Sequence, residues 1–323
     1  MGDQEKQTAD VMVNRPIAYG TAMPDGSAWP RISIVTPNYN YAHYVGDTLY
    51  SVISQGYPNL EYIVIDDGST DGSYEEILKC KPWLAHCERQ GNMGQARTLN
   101  KGFAMSSGEI MAWLNSDDKY LPWTFGVVAE IFRRFPEIEW ITGIPTSWDC
   151  IGRNVGVYQH IRKNIYSFCL DRYGWIQQES VFWRRSLWEK AGGHIDETFK
   201  FQIDCELWTR FFMHAKLWHV DCCLGGYRSH AGTRSNRNIE DTHQEALKAV
   251  RALRAKCDQR VLGDVRILRM ISKLKALNKV FNVESLVRRL LPGLSDRVAY
   301  PRIVWAGENA RWQKENMPFN LIE

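Results

Sequence analysis

Three short apolar runs, each ending in a polar loop, determine what the first part of this chain can fold into. They span residues 31–36, 60–65 and 110–114, and segments of helical character separate them. Apolar runs of this length that stop at turn-forming residues are typical of buried strands. Strands that alternate with helices predict a parallel sheet with right-handed crossover connections. The sequence therefore predicts an α/β fold.

Polar loops follow these three strands at residues 36–40, 66–71 and 115–118. The carboxyl ends of parallel strands meet at one edge of a sheet, and open α/β sheets bind their ligands there. We therefore expect the three loops to line one cleft. A further loop at 91–94 opens a helix, where backbone N–H groups and Arg97 would lie near a diphosphate. An ordinary helix entry is the alternative interpretation of that loop.

Two adjacent acids, Asp117 and Asp118, follow the third strand. Neighbouring carboxylates repel one another unless a cation lies between them, and hard oxygen ligands suit Mg²⁺ or Mn²⁺ shared with a diphosphate. The alternative is a solvated turn with an Asp helix cap. Asp67 also has two interpretations, because it could accept a hydrogen bond from a base N–H or simply form the turn before Gly68.

Four segments, in this order, resemble family 2 glycosyltransferases with the GT-A fold. They are 32–40, Val-Ile-Asp-Asp-Gly-Ser-Thr-Asp-Gly at 64–72, 92–97, and Leu-Asn-Ser-Asp-Asp at 114–118. The resemblance extends over roughly 31–230. It implies a GT-A nucleotide-diphospho-sugar transferase fold, with a Rossmann-like, mixed and mostly parallel sheet. It also implies an inverting transfer of a sugar from a nucleotide-sugar.

The same resemblance implies roles for residues on the donor side. Asp67 would hold the base, and Asp117 with Asp118 beside it would bind a divalent metal, Mn²⁺ or Mg²⁺. Asn115 stands where the family often has Asp, so metal binding would depend on fewer carboxylates. The residues implied to contact the base, ribose or diphosphate are Thr36, Pro37, Asn38, Tyr39, Asp67, Asn92, Arg97, Asn115 and Ser116.

On the acceptor side, an inverting transfer needs a carboxylate that removes the proton of the attacking hydroxyl. The family places this base where a helix opens, a position that Asp204 occupies here, although Asp204 could instead only cap that helix. Glu179 is the second candidate for the base. His230 resembles a late histidine that contacts the metal or diphosphate in some relatives. Arg228 and Arg234 would either meet the diphosphate or remain solvated.

The sequence divides into an N-terminal arm, a catalytic domain and a C-terminal extension. The arm covers 1–30, and the catalytic domain covers 31–235, with a nucleotide-sugar half at 31–120 and an acceptor half at 121–235. The extension, 236–323, is predicted to be helical. Its basic, amphipathic stretch at 265–291 could lie on an anionic membrane surface, pack on the catalytic domain or join a second chain into a homo-oligomer.

Composition excludes several other classes of protein. A net charge of only +3 argues against a nucleic-acid binder, and the eight cysteines contain no C-x-x-C pair that would indicate a zinc site. The first ten residues are polar, and no apolar run reaches the ~18 residues that span a bilayer. We therefore expect a cytoplasmic protein, either free or at the inner face of the membrane.

These observations lead to one functional hypothesis and two rivals. The hypothesis is a metal-dependent, inverting glycosyltransferase that uses a UDP-, dTDP- or GDP-sugar. Its acceptor would be a glycan or lipid-linked glycan in surface polysaccharide, O-antigen or glycolipid assembly. The first rival is a sugar nucleotidyltransferase, which would be expected to carry a Gly- and Arg-rich phosphate loop where this chain has residues 37–40. The second is a non-catalytic protein that binds a nucleotide-sugar or glycan in an assembly complex.

Overall fold

The computed structural model describes residues 19–159, 161–232, 238–274, 283–307 and 310–319. Across these residues the strands, in chain order, are β1 (Ile32–Asn38), β2 (Leu60–Asp66), β3 (His86–Arg89), β4 (Ile110–Trp113), β5 (Lys119–Tyr120), β6 (Trp140–Thr142), β7 (Thr146–Trp148), β8 (Asn154–Val157), β9 (Val181–Arg184), β10 (Trp218–Val220), β11 (Gly225–Arg228), β12 (Tyr300–Ala306) and β13 (Arg311–Met317).

Helices alternate with these strands and then dominate the C-terminal part. They are α1 (Ala42–Ile53), α2 (Ser73–Lys79), α3 (Gln95–Met105), α4 (Thr124–Arg134), α5 (Ile165–Cys169), α6 (Arg185–Lys190), α7 (Ile203–Phe212), α8 (Ile239–Lys256), α9 (Gln259–Ser272), α10 (Val283–Leu290) and α11 (Pro292–Val298). Short 3₁₀ turns occur at Lys81–Trp83 and Gln178–Ser180. No helix in the described ranges is both long enough and apolar enough to cross a membrane.

The central sheet contains nine strands in the order β13-β12-β10-β6-β9-β4-β1-β2-β3. Strand β1 pairs in parallel with β2 and β4, and β2 pairs in parallel with β3. Strand β10 likewise pairs in parallel with β6 and β12. Strand β9 is antiparallel to both β4 and β6. A smaller sheet has the order β5-β11-β7-β8. The predicted mixed, mostly parallel α/β sheet is confirmed.

The C-terminal extension contains the predicted helices, α8 to α11, and in addition a β-hairpin that the sequence did not indicate. After α11, strand β12 pairs in parallel with β10, and β13 pairs antiparallel with β12. Pro301 and Ile303 are buried while Tyr300 and Arg302 are partly exposed, and this alternation is the pattern of a strand rather than of a helix. The hairpin extends the central sheet, so the extension and the catalytic domain share one sheet.

The N-terminal arm is packed against the catalytic domain where the structure describes it. Tyr19, Trp29 and Tyr57 form a cluster of edge-to-face rings with centroids 5.0–5.6 Å apart. The Trp29 indole N–H donates to the Gly20 carbonyl at 2.9 Å. These contacts anchor residues 19–30 to the end of α1, whereas residues 1–18 of the predicted arm lie outside the described ranges.

A cluster of large aromatic side chains fills the core behind the sheet edge. Trp113, Trp140, Trp183 and Trp208 are each almost completely buried. Trp113 stacks on Trp208 with centroids 5.6 Å apart and a 14° angle between the rings. Aromatic pairs of this kind contribute about 0.5–1.5 kcal/mol beyond their buried area. The high tryptophan content therefore serves the core to a large extent, and it holds α7 against β4.

Candidate donor and acceptor site

A cavity of about 830 Å³ opens at the carboxyl edge of β1, β2 and β4. The opposite wall comes from the Gln178–Ser180 turn and the start of α7. Most residues singled out from the sequence line this cavity: Pro37, Asn38, Tyr39, Asp67, Asn92, Asn115, Ser116, Asp117, Asp118, Glu179 and Asp204. The acids from the separate loops thus share one cavity.

Three of the residues singled out from the sequence do not reach the wall of this cavity. Thr36 is fully buried in β1, and its hydroxyl lies 3.0 Å from the Tyr62 hydroxyl. Arg97 points outward and pairs with Glu197 at 2.7 Å. His230 lies behind the wall, beside Asp117. Thr36 and Arg97 are therefore engaged in packing and in a surface ion pair, outside the lining of the cavity.

Asn38 presents a buried hydrogen-bond acceptor at the base of the cavity. Its amide N–H₂ donates to Asp66 at 2.7 Å and to the Ser69 hydroxyl at 3.0 Å. Because both donors are used, its Oδ1 atom must point the other way, and it has no partner among the described residues. A buried acceptor left unpaired costs about 1–3 kcal/mol. A ligand N–H or hydroxyl would remove this cost.

Asp67 organises the loop that precedes α3. One of its carboxylate oxygens accepts from the Met93 backbone N–H at 2.8 Å, and the other accepts from the Gly94 N–H at 2.8 Å. Gly94 has φ +87°, a conformation that side chains other than glycine rarely adopt. At Gly68, also at positive φ, an added Cβ would lie 3.0 Å from the Asn92 nitrogen. Asp67 therefore fixes the loop at the N-terminus of α3, and its carboxylate still borders the cavity.

Asp117, which lines the cavity, forms a close polar pair with His230, which does not. His230 Nε2 lies 3.0 Å from Asp117 Oδ2. The imidazole packs against the rings of Tyr41 and Tyr44, with centroids 5.7 and 4.5 Å away. Contact with two rings restricts the orientation of the imidazole. An imidazole nitrogen is thus held beside a carboxylate oxygen of a residue that lines the cavity.

Asp118 and Glu179 are two buried carboxyl groups that hydrogen-bond to each other. Asp118 also accepts from the Arg228 backbone N–H at 2.8 Å. Burial raises the pKa of both groups, and the negative charge of each neighbouring carboxylate adds to this effect. The raised pKa of both groups favours a proton held between them over two charged carboxylates. Glu179 Oε2 is buried without a partner among the described side chains.

Asp204 begins the first turn of α7 and faces the cavity. Burial raises its pKa to about 6, against hydrogen bonds from the backbone N–H groups of Cys205 and Asp204 itself, which favour the charged form. The structure records no side-chain capping bond at the helix start, where Gln202 is the N-cap. A carboxylate with a pKa near the working pH is suited to accept a proton.

The sequence analysis did not identify a network of amide side chains on the cavity wall. The Gln95 side chain donates to Asn115 Oδ1 at 2.9 Å. The Asn115 side-chain N–H₂ contacts Asp118 at 3.2 Å and Gln178 at 3.3 Å. Gln178 in turn donates to the Trp113 carbonyl at 2.6 Å. Asn115 therefore has partners for its amide groups, which explains how an amide is accommodated beside the two acids.

The C-terminal extension contributes a residue that supports the cavity wall formed by the Gln178–Ser180 turn and the start of α7, on which the acceptor was expected. The Glu245 carboxylate of α8 accepts from the backbone N–H groups of Lys200, Phe201 and Gln202, at 2.8–3.1 Å. These three residues line the cavity just before Asp204. Glu245 lies about forty residues further along the chain, and no local sequence pattern connects the two segments.

Two exposed or half-buried aromatic rings complete this wall. Trp175 and Tyr227 lie edge to face with centroids 6.3 Å apart, and both line the cavity. Arg228, one of the two arginines considered for the diphosphate, instead pairs with Asp47 at 2.5 Å and is buried. The other, Arg234, lies outside the described residues.

Comparison with known proteins assigns the chain to a family. The model of the family described as "Glycosyl transferase family 2" matches residues 33–217, which is more than half of the 323 residues. The chain therefore belongs to glycosyl transferase family 2. This membership favours a transferase over the nucleotidyltransferase alternative.

Two of the curated proteins that are similar to this chain are named as glycosyltransferases. An uncharacterized glycosyltransferase of Nostoc sp. is 36% identical over 111 residues, which cover 32% of this chain and 33% of the relative. TuaG of Bacillus subtilis, named as a proposed teichuronic acid biosynthesis glycosyltransferase, is 38% identical over 97 residues, 28% of this chain and 37% of TuaG. The chain thus spans about a third of the length of these relatives.

Solved structures confirm the GT-A fold. S. aureus TarS 1–349 in complex with UDP-GlcNAc superposes with a TM-score of 0.60 at 17% identity, over 76% of this chain and 73% of that one. The mannosyltransferase PcManGT from Pyrobaculum calidifontis, in complex with GDP-Man and Mn²⁺, gives a TM-score of 0.50 at 16% identity, over 88% and 89% of the two chains. At these identities the likeness concerns the fold.

Proposed function

We propose that this protein is a metal-dependent, inverting glycosyltransferase that moves a sugar from a nucleotide-sugar to a hydroxyl group of a glycan acceptor. The observation that carries the proposal is the single cavity bordered by Asn38 and Asp67 on one wall and by Asp204 and Glu179 on the other, with Asp117 between them. A two-substrate transfer needs a site of this kind, because donor and acceptor must meet in line.

The donor wall supports the nucleotide part of the proposal. The unpaired Asn38 Oδ1 atom can accept a hydrogen bond from a base N–H or a ribose hydroxyl. Tyr39 is exposed at the mouth of the cavity and offers a ring against which a base can stack. The relatives of known structure, TarS with UDP-GlcNAc and PcManGT with GDP-Man, add support for a nucleotide-diphosphate sugar.

Asp117 and His230 fit a divalent cation. No group of three or more His, Cys, Asp or Glu side chains that could hold a metal occurs in the described part of the chain. A pair of ligands is nevertheless sufficient for Mg²⁺ or Mn²⁺, because such ions commonly use one or two carboxylates and complete their shell with water and substrate phosphate. Bound there, the cation would stabilise the charge of the departing diphosphate.

Asp204 is the residue that we assign as general base. Its carboxylate takes the proton of the acceptor hydroxyl while that oxygen forms a bond to the anomeric carbon of the donor sugar. The bond from this carbon to the diphosphate oxygen breaks in the same step, so the nucleoside diphosphate leaves with the electron pair. Attack from the opposite face inverts the anomeric configuration. Glu179 is the weaker candidate, because its carboxyl group is already engaged with Asp118.

The acceptor is proposed to be a sugar of a cell-surface polysaccharide. Trp175 and Tyr227 line the cavity beside the proposed base, and aromatic rings stack well on the apolar faces of sugars. The similarity to TuaG, which is named for teichuronic acid biosynthesis, also supports a polysaccharide acceptor.

The test is a donor screen followed by analysis of the product. UDP-, dTDP- and GDP-sugars are added with Mn²⁺, and thermal stabilisation identifies the donor, since a ligand that binds the native state raises the melting temperature. NMR of the product made from that donor then gives the anomeric configuration. Inversion, together with loss of transfer in Asp204→Asn, supports the proposal. Retention, or full activity in Asp204→Asn, contradicts it.

A further inference from the structure

Helix α10 (Val283–Leu290) exposes two of its leucines, although Val287 packs on the hydrophobic core. Leu286 and Leu290, four residues apart and so on one face, are 53% and 67% exposed. Glu284 and Arg288, also four apart, pair with each other on the side that faces the protein, where Arg288 donates to the Phe319 carbonyl at 2.5 Å. A surface helix normally turns its apolar face to the core.

Exposed apolar and basic residues also occur beside α10 in the chain and on the neighbouring helices. Leu291, which follows α10, is also exposed. Arg289 lies on the helix with the two leucines and is exposed, as are Arg266 of α9 and Lys273, which follows α9. Helix α9 is connected to this region through α11, because Arg297 pairs with Asp264 at 2.6 Å.

The charge of this region is opposite in sign to that of the remaining chain. Residues 258–298 contain nine Lys or Arg against four Asp or Glu, a net charge of +5, whereas the whole chain has +3. The rest of the protein is therefore slightly acidic. Basic residues concentrated beside exposed leucines are the combination by which an amphipathic helix binds an anionic bilayer, through apolar insertion and electrostatic attraction together.

We infer that the leucine face of α10 docks on the surface of an anionic lipid bilayer and holds the enzyme there as a peripheral protein. A second copy of the chain is the other possible occupant, and the charges argue against it. A two-fold contact would apply the same patch to itself and bring two strongly basic surfaces together. The inference goes beyond the proposed function, because it does not depend on which sugar is transferred.

The test is flotation of the full-length protein with vesicles of phosphatidylcholine alone and of phosphatidylcholine mixed with phosphatidylglycerol. The wild type should float with the mixed vesicles and much less with the neutral ones. The double variant Leu286→Ser/Leu290→Ser should bind the mixed vesicles at least about tenfold more weakly, because two inserted apolar side chains are lost. The matched control is Leu78→Ser/Met105→Ser, which alters two exposed apolar side chains of the catalytic half and should bind like the wild type.

A charge variant tests the electrostatic part separately and guards against a folding defect. Arg289→Glu leaves both leucines in place and should weaken binding to mixed vesicles by about tenfold, whereas Arg251→Glu on α8 should have little effect. Melting curves of each variant should match the wild type. The inference is overturned if the wild type binds neither kind of vesicle, or if the leucine variant floats with the mixed vesicles as well as its control does. It is also overturned if the leucine variant converts a dimer to a monomer without a change in flotation.

Discussion

The Glu245 carboxylate accepts a hydrogen bond from the backbone N–H of Gln202 at 3.0 Å, two residues before Asp204. Gln202 is the N-cap of α7, so this contact lies at the point where the chain enters the helix that presents the proposed base. Glu245 belongs to α8, in the C-terminal extension. The extension is therefore part of the acceptor wall, and it contributes to the geometry on which proton transfer depends.

Glu245→Gln should lower kcat for sugar transfer by about tenfold to a hundredfold, because displacing a catalytic group by about an ångström has effects of that size. The amide keeps one acceptor oxygen but cannot receive all the backbone N–H groups that the carboxylate binds. The KM for the nucleotide-sugar should change little, since the donor wall is untouched. Steady-state kinetics measure both constants.

The matched control is Glu240→Gln on the same helix. Glu240 contacts Gln244 at the surface and touches neither the loop nor the cavity. Its variant should transfer sugar at the wild-type rate. Equal rates for the Glu245 and Glu240 variants would mean that the loop keeps its geometry without the carboxylate.

The rate of transfer should fall as the pH decreases through about 6. Burial raises the pKa of Asp204 to about 6, and only the unprotonated carboxylate can accept the proton of the acceptor hydroxyl. The active form is thus present above this pH and is lost below it. A profile of kcat against pH at saturating donor and acceptor measures the effect. A rate that stays constant down to pH values near the ordinary pKa of Asp, about 4, would exclude Asp204 as the base.

Asp204→Asn should abolish transfer and yet stabilise the protein at neutral pH. A carboxyl group whose pKa is raised in the native state holds its charge at a cost, and the amide removes that charge. We expect a gain of about 1–2 kcal/mol in the free energy of unfolding, after allowance for solvent contact. Urea unfolding near neutral pH measures it. The gain should disappear below about pH 4, where the carboxyl group is protonated in both states.

His230→Gln should raise the concentration of Mn²⁺ needed for half-maximal thermal stabilisation by a nucleoside diphosphate. The change removes the imidazole nitrogen beside Asp117 Oδ2 and leaves the carboxylate in place. Loss of one ligand to a metal commonly weakens binding by tenfold or more, and thermal shift measures this without any turnover. His214→Gln, at an exposed position away from Asp117, is the control. An unchanged metal dependence would remove His230 from the ligand set.

The sequence was most informative where the residues that define an element lie next to each other in the chain. Strands β1, β2 and β4, with the polar loops that follow them, could be located because buried apolar runs and turn residues lie next to each other in the chain. These loops carry most of the donor wall, so most residues of that wall could be named from the sequence as well. What the pattern could not indicate is the direction in which a side chain points, and Thr36 and Arg97 both point away from the cavity.

Contacts between distant segments could not be predicted from the sequence. Glu245 and Gln202 lie in different parts of the chain, and neither stands in a motif that refers to the other. The hairpin of β12 and β13 was also missed, because its place at the edge of the sheet depends on β10. Tertiary pairing decides such cases, and local propensity has little influence on them.

The pair of Asp118 and Glu179 should give the protein a characteristic dependence of stability on pH. Burial raises the pKa of both carboxyl groups, so the native state keeps protons that the unfolded state has already lost. Stability should therefore fall as the pH rises from about 4 to neutrality, by up to about 1.4 kcal/mol per pH unit for each retained proton. In Glu179→Gln one of these groups is gone, and the slope should be smaller. Urea unfolding at several pH values measures both slopes, with Glu189→Gln, at an exposed position, as the control. A slope in Glu179→Gln equal to that of the control would show that the two carboxyl groups do not share a proton.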